Sequence, residues 1–434
     1  HGISRSQGVK KGAITNIELA TKSIKKALSD AKRIAGSNIS SAVVSISNAY
    51  AKSLNSTGIV NIPHKDISIK EIDRVMKTAL YNANIPNEFE VVHVLPYNFK
   101  VDDQDFIEDP FGMNASRLEV DVNIIMTQKS NLSNLKKAVR SAGVEIEGIV
   151  LSGYASAIAT MDEDEKELGV AVIDLGGQTS SLVIHTGNSI RYNDYLGVGS
   201  NHITNDLSMA LHTPLQVAEN VKVRHGNLAE SSNEIVELPI IGDEESRNSV
   251  SLEIVHSVIF ARVEEALMLL AKSLEESALK EQIGAGIILT GGMTKLKGMR
   301  ELAQSIFPTM PVRIASPNDQ KVEGLFEELI DPAFSTVIGL LLYSAGGHTE
   351  YEINFKQELL HSKTIYKDDL GDIDFNRRDE HMDTPNEPEA LNAQSSQSNK
   401  SMQDDNIIFD DLPNIEDGKS NPFKKIANWA KQLF

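Results

Sequence analysis

Residues 170–184 read VAVIDLGGQTSSLVI, and the fold turns on this stretch. An apolar run ends at Asp174, two glycines follow, and apolar residues then resume in alternation with small polar ones. Two strands joined by a Gly-Gly turn account for that pattern. Glycine at such an apex serves either a backbone that needs φ > 0 or one that another group approaches closely. An ordinary hairpin turn and a phosphate seat both stay open at this point, because a short glycine pattern is weakly specific.

A second such apex lies more than a hundred residues on. Residues 284–307, GAGIILTGGMTKLKGMRELAQSIF, read as a strand, a Gly291-Gly292 turn and a helix. In α/β folds ligands sit beyond the carboxyl ends of strands, where glycine loops and helix N-termini present N–H groups to phosphates. The common nucleotide fingerprints are missing: there is no G-x-x-x-x-G-K-[ST], and GVGSNH (197–202) and GAGIIL each lack a third glycine. A P-loop or dinucleotide-binding enzyme is thereby disfavoured.

The 434 residues suffice for two or three domains. A charged fraction of 24% and an apolar fraction of 41% are those of a globular protein, and no apolar run is long enough to span a bilayer. With no cysteine, disulfides and thiolate metal sites are excluded, and a cytoplasmic location is the simplest reading. The net charge of −19 argues against nonspecific nucleic-acid binding. Eleven histidines are scattered without ligand spacing, and no G-x-S-x-G elbow occurs.

The charge is unevenly spread. Residues 348–420 hold 18 acids against 7 bases and lack apolar periodicity, which reads as a disordered acidic linker. Within it, IIFDDLPNIED (407–417) is the one apolar patch. The compact body is expected to end near residue 346. The last fourteen residues, NPFKKIANWAKQLF, form an amphipathic helix on a wheel. Phe423, Ile426, Ala427, Trp429, Ala430, Leu433 and Phe434 share an arc of about 160°, with Lys424, Lys425 and Lys431 on the opposite side. Such a helix suits an anionic membrane surface, where each lysine contributes about 1 kcal/mol. The alternative, a helix docked on protein, has no need of the long acidic tether.

Within the body, TNIELATKSIKKALSDAKRIA (15–35) is a capped helix. SSAVVSIS, FEVVHVLPYNFKVDD and LEVDVNIIMTQ read as strands around the helix SIKEIDRVMKTALYNAN, a small α+β module. NLSNLKKAVRSAG is a helix, VEIEGIVLSG a strand and YASAIATM a small-residue helix. Residues 214–281 read as a helical region, and AFSTVIGLLLYSA as the last helix. The chain opens at His1 without methionine and reads as the interior of a protein, so a segment upstream is expected to be absent.

With both apices and the terminal helix in hand, the sequence shows a resemblance. VIDLGGQTSSLVI resembles the second phosphate motif of the actin, sugar-kinase and chaperone ATPase superfamily, and IILTGGMTKLKGM its adenosine motif. Together with residues 199–226, TMDEDEKELGVAVIDLGG and the terminal NPFKKIANWAKQLF, these are similar to the FtsA family of actin-like bacterial cell-division proteins. The resemblance implies an actin-like α/β fold with an inserted subdomain 1C at 38–126. The remaining segments would be 1A at 1–37 and 127–167, 2A at 168–202 and 286–346, and 2B at 203–285. The linker would occupy 347–420 and the membrane helix 421–434.

The resemblance further implies ATP and Mg²⁺ as cofactors. Asp174 would face the metal through water, as a hard hydrated cation favours, while Gly176, Gly177, Gln178 and Thr179 would wrap the phosphates. Gly291, Gly292 and Met293 would lie against the adenosine, and Glu219 and Lys222 would reach the ribose and base. Read without the family, Glu219 and Lys222 are a solvated pair three residues apart on a helix. Gln178 stands where the family has a third glycine, and the first phosphate hairpin, an Asp-x-Gly-Ser turn, is expected upstream of His1. The implied partners are the tail of the tubulin-like FtsZ polymer, further copies of the chain, other division proteins and the cytoplasmic face of the inner membrane. Arg262 and Lys272 in HSVIFARVEEALMLLAKSLEE would meet the acidic FtsZ tail. An adaptor with at most weak ATP hydrolysis is the implied activity. The rivals are a sugar-kinase-type phosphotransferase and a PilM-like pilus assembly adaptor, neither of which uses the terminal helix.

Overall fold

The computed structural model describes residues 1–317 and 327–361. The acidic linker beyond 361, the 407–417 patch and the terminal segment 421–434 lie outside the described residues. The chain begins with the short strands β1 (Val9–Lys10) and β2 (Ala13–Ile14), helix α1 (Ile17–Ala35) and strand β3 (Ser41–Ile46). Asn16 caps α1 by accepting from the Leu19 N–H, and Gly36 closes it in the left-handed region. An inserted run follows: β4 (Ala51–Asn61), α2 (Ile69–Asn82), β5 (Phe89–Val101), β6 (Gln104–Ile107) and β7 (Arg117–Gln128). The chain then returns through α3 (Lys129–Ser141), β8 (Glu145–Leu151), α4 (Ser152–Thr160) and α5 (Glu163–Leu168).

The second half comprises β9 (Val170–Leu175), β10 (Ser180–Thr186), β11 (Ser189–Leu196), α6 (Ser200–Ala210) and α7 (Leu215–His225). It continues with β12 (Ile235–Ile240), β13 (Asp243–Ser251), α8 (Leu252–Glu276), β14 (Gly286–Thr290), α9 (Met299–Ile306) and β15 (Val312–Ile314). Helix α10 (Ser335–Leu342) then packs on α4 in the first half.

The five-stranded sheet has the order β11-β10-β9-β14-β15. β9 and β14 run parallel at its centre with Asp174 opposite Thr290, so the two Gly-Gly turns emerge side by side. The four-stranded sheet β4-β7-β5-β6 is antiparallel and is covered by α2 through Ile72, Val75, Met76 and Ala79.

Three sequence expectations are corrected. β3 pairs in parallel with β8, so residues 41–46 belong to the first half's own sheet, and the inserted module starts near β4 rather than at residue 38. The supposed helical stretch 214–281 contains the antiparallel hairpin β12–β13. The body does not end at 346, because Tyr351, Glu352 and Ile353 are buried and Ile353 exchanges backbone hydrogen bonds with Val94 of β5. Glu352 anchors this segment by accepting from His93 Nδ1 at 2.6 Å, Tyr343 at 2.7 Å and Tyr154 at 3.0 Å. His93 Nε2 accepts the Leu151 N–H at 3.0 Å, which makes Nδ1 the protonated nitrogen and the ring neutral.

Two stability predictions follow from this packing. At Gly339 of α10 an added Cβ would lie 1.8 Å from the Ala155 carbonyl oxygen of α4, and the obstacle is backbone that cannot swing aside. Gly339→Ala should therefore cost about 3 kcal/mol, the upper range of overpacking, and lower the melting temperature by several degrees; an unchanged melting curve would contradict the crossing. Burial, reinforced by nearby Lys166, pushes the His185 imidazole down to about 4. The unfolded chain then binds the extra proton first, so the stability present above pH 6.5 is lost as pH falls toward 4, by about 3 kcal/mol in all. Denaturant titrations from pH 7 to 4 should show that decline, and His185→Gln should flatten it.

Candidate functional site

A cleft of ≈ 1110 Å³ opens at the carboxyl ends of β9 and β14. Asp174, the turn Gly176–Thr179 and Gly291–Gly292 form its floor, and residues of both halves line it. The turn is a β-hairpin, since β9 and β10 pair antiparallel, and it also forms part of the floor of this cleft.

The glycines serve different purposes. Gly291 has φ 90°, and a Cβ there would lie 2.4 Å from Asp174 Oδ1 and 2.6 Å from the Leu175 carbonyl oxygen, so only glycine fits. Gly177 does not use positive φ, and a Cβ on it would meet nothing closer than 3.8 Å. Its bareness leaves open space above the turn. The turn itself closes through Gly176 N–H to the Thr179 carbonyl at 3.0 Å. The first amides of α6, on Ser200 and Asn201, donate to the carbonyls of Gly176 and Gly177 at 3.0 and 2.7 Å. Among the described residues no acceptor meets the backbone N–H groups of Gly177, Gln178 and Thr179. Successive unpaired amides of this kind make an anion seat.

Asp174 stands beside that seat. Its Oδ2 accepts from the hydroxyls of Ser156 on α4 at 2.6 Å and Thr336 on α10 at 3.2 Å. Burial raises its carboxyl above the ordinary range, and the two hydroxyls oppose that rise. Sequence reasoning missed Ser156 and Thr336. Ser156 sat inside a stretch read only as small-residue packing, and hydroxyls in a helix carry no signal of where they point. A single carboxylate suits a hard, largely hydrated cation such as Mg²⁺, and among the described residues no cluster of three or more acidic or histidine side chains offers a fully protein-bound metal site.

The opposite wall holds Glu219, whose carboxylate accepts from the Thr204 hydroxyl and from Lys222 at 2.7 Å. Burial works to raise the Glu219 carboxyl, but Lys222 and Thr204 outweigh it and hold it below its ordinary value. Lys222 differs from the expectation of a solvated or ligand-reaching lysine. It is 5% exposed, and its ammonium also donates to Ser200 Oγ, the Ser200 carbonyl and Thr204 Oγ1 at 2.7, 3.2 and 2.8 Å. It ties α7 to the first turn of α6 and sits one layer behind the cleft wall, while Glu219 lines it. Met293 likewise turns its side chain into the second-half core, leaving Gly291 and Gly292 at the surface of the cleft.

The residues expected to meet an acidic partner lie on α8, outside the cleft. Arg262 is engaged by Asp206 at 2.7 Å and Glu265 at 2.6 Å. Lys272 is exposed and meets only its helical neighbour Glu276 at 3.6 Å among the described ion pairs. The membrane-facing set Phe423, Lys424, Lys425, Ile426, Trp429, Ala430, Lys431, Leu433 and Phe434 lies outside the described residues.

Comparison with known proteins matches this geometry to a family. The family profile "Cell division protein FtsA" matches residues 171–339, and the profile "SHS2 domain inserted in FTSA" matches residues 48–126. The cell division protein FtsA of Helicobacter pylori is 41% identical over 376 residues, which span 81% of this chain and 76% of that protein. The FtsA of Pseudomonas aeruginosa is 38% identical over 79% of this chain and 82% of its own length, and that of Escherichia coli 31% over 82% and 86%. Among solved structures, a PilM-PilN type IV pilus biogenesis complex shares the fold with a TM-score of 0.53 at 18% identity, covering 77% of this chain and 87% of that one. The inserted module begins where β4 does, the second-half lining of the cleft falls inside the matched span, and identity above 30% runs along most of both chains: the chain belongs to the FtsA family of cell division proteins and has its actin-like α/β fold.

Proposed function

We propose that this chain is an ATP-binding adaptor that anchors the FtsZ polymer to the cytoplasmic face of the bacterial inner membrane at the division site, assembling with further copies of itself and recruiting later division proteins. The observation that carries the nucleotide part is the row of unpaired amides at Gly177, Gln178 and Thr179 beside the Asp174 carboxylate, at the floor of a cleft of ≈ 1110 Å³. Those amides fit phosphate oxygens, Asp174 fits a hydrated Mg²⁺, and Glu219 fits a ribose hydroxyl. When bound, ATP·Mg would supply the negative charge that this seat of amides accepts.

Asp174 and Glu219 are the carboxylates lining the cleft among the described residues, and each accepts its two protein hydrogen bonds on one oxygen, Oδ2 and Oε2, which leaves the other oxygen for a hydrated cation or a ribose hydroxyl. The membrane part rests on the terminal sequence, whose three lysines and aromatic face suit an anionic interface. For the FtsZ tail, Lys272 is the more available of the two proposed cations on α8, since Arg262 must first exchange Asp206 and Glu265.

Gly177→Ala separates binding from folding. The added methyl has room in the protein, so the circular dichroism and melting temperature should stay as in the parent, while ATP affinity measured by calorimetry should fall at least tenfold. Gly291→Ala, in contrast, should unfold or strongly destabilise the second half. Parental ATP affinity in folded Gly177→Ala would remove the turn from the nucleotide site.

Trp429 is the one tryptophan of the chain and reports on the terminal segment alone. Its emission should shift to the blue with anionic liposomes, less with uncharged ones, and less again as added salt screens the lysines over a Debye length of about 8 Å. A chain ending at residue 420 should bind ATP as before and fail to sediment with the liposomes. Emission that is already blue and indifferent to lipid would count against membrane anchoring.

A further inference from the structure

The cleft has a cover that the motifs do not announce. β1 and β2 pair as a hairpin with Lys10 opposite Ala13, and its two turn residues, Lys11 and Gly12, both take the left-handed region, at φ 49° and 80°. This is the tight turn whose twist matches paired strands, and it ordinarily calls for Asn or Gly at its first position. Lysine is an unfavourable choice there, so other contacts must hold it.

Two such contacts are present. On one side the tip rests on the first half: a Cβ at Gly12 would lie 2.3 Å from Ser47 Oγ. On the other side the Lys11 backbone N–H donates to Gln178 Oε1 at 2.7 Å, a bond between residues 167 positions apart that crosses the cleft to the second half. Gln178 is the third residue of the turn that carries the unpaired amides. The Lys11 side chain follows the same path. Its Nζ lies 3.9 Å from a Cβ built on Gly197, in the loop joining β11 to α6, and among the described residues it has neither a hydrogen-bond nor an ion-pair partner. An ammonium without a protein partner is thus held at the edge of a seat built for anions.

We propose that Lys11 and Gln178 form a latch across the cleft, in which the Gln178 amide holds the hairpin tip over the phosphate turn and the Lys11 ammonium takes the terminal phosphate of a bound nucleoside triphosphate. The proposal rests on the nucleotide reading of the cleft and adds what distinguishes a triphosphate from a diphosphate. A glutamine suits the task on two counts. Glycine at 178 would offer no acceptor, and a carboxylate would neutralise Lys11 and repel phosphate. Because one partner belongs to each half, a ligand that engages Lys11 also draws the two walls together.

The latch is tested on the full chain with ATP and ADP as probes. Lys11→Asn removes the charge and keeps a residue that tolerates the left-handed turn. Its ATP affinity should fall at least tenfold with ADP affinity changed less than twofold, and Lys11→Arg should restore the preference. Gln178→Ala should release a fluorescent ATP analogue at least fivefold faster. Without any nucleotide, it should also lose hydrogen-exchange protection at the Lys11 amide. Equal losses of ATP and ADP affinity in Lys11→Asn would overturn the triphosphate role, and unchanged Lys11 protection in Gln178→Ala would overturn the latch. A parent chain that binds neither nucleotide would overturn the proposed function and the phosphate role together, leaving the exchange result to decide the cross-cleft bond by itself.

Discussion

Helix α10 crosses α4 with almost no side chain between them, and the cleft chemistry depends on that approach. The built Cβ at Gly339 would fall 1.8 Å from the Ala155 carbonyl, so the two backbones touch. One residue along from Ala155, Ser156 reaches Asp174, and Thr336 reaches the same oxygen from α10. The two hydroxyls also meet each other at 2.8 Å. A wider crossing would separate them and leave the carboxylate of a different half without its donors. Small residues in α4 therefore do more than save space: they bring the hydroxyls of α4 and α10 together on the Asp174 carboxylate, and the orientation of Asp174 follows from helix packing.

The same halves meet a second time at the hairpin β10–β11. Its phosphate-turn end closes the cleft floor, while its other end reaches the inserted module. There the Asn188 N–H donates to the Tyr97 carbonyl at 3.5 Å, and the Arg191 guanidinium lies 4.6 Å from the centre of the Tyr97 ring. β9 (VAVIDL) and β14 (GIILT) are apolar and almost wholly buried, and the signals that locate them are those of buried strands. This explains why the Gly-Gly apices were legible in the sequence. Long β-branched runs stopped by glycine have one sensible reading, and two of them imply adjacent strand ends.

What could not be read has equally physical causes. The hairpin β12–β13 contains Pro239 and the polar run DEESRNS at residues 243–249, so it lacks the alternation that marks a half-buried strand. The segment around Glu352 is acidic and follows a helix, and composition assigned it to the linker. Its burial depends on three hydrogen-bond donors from His93, Tyr154 and Tyr343, which come from distant parts of the chain. Lys222 fails the usual rule that lysine stays exposed, because Ser200, Thr204 and Glu219 together satisfy its ammonium. In each case the deciding partner is remote in sequence, and no local pattern encodes it.

Gln178 shows how far a single departure from a motif carries meaning. In the sequence it is a glycine position filled by a larger residue, which suggests a less permissive turn. In the structure the turn accepts it without positive φ, and the side chain leaves the floor to meet Lys11. The amides of the turn stay unpaired because the side-chain oxygen is directed across the cleft and away from them. A residue that looked like a loss of flexibility thus supplies the one hydrogen bond, among those described, that joins the amino-terminal hairpin to the phosphate turn. At this position the chain uses side-chain chemistry, where Gly176 and Gly177, neither of them at positive φ, keep the backbone bare.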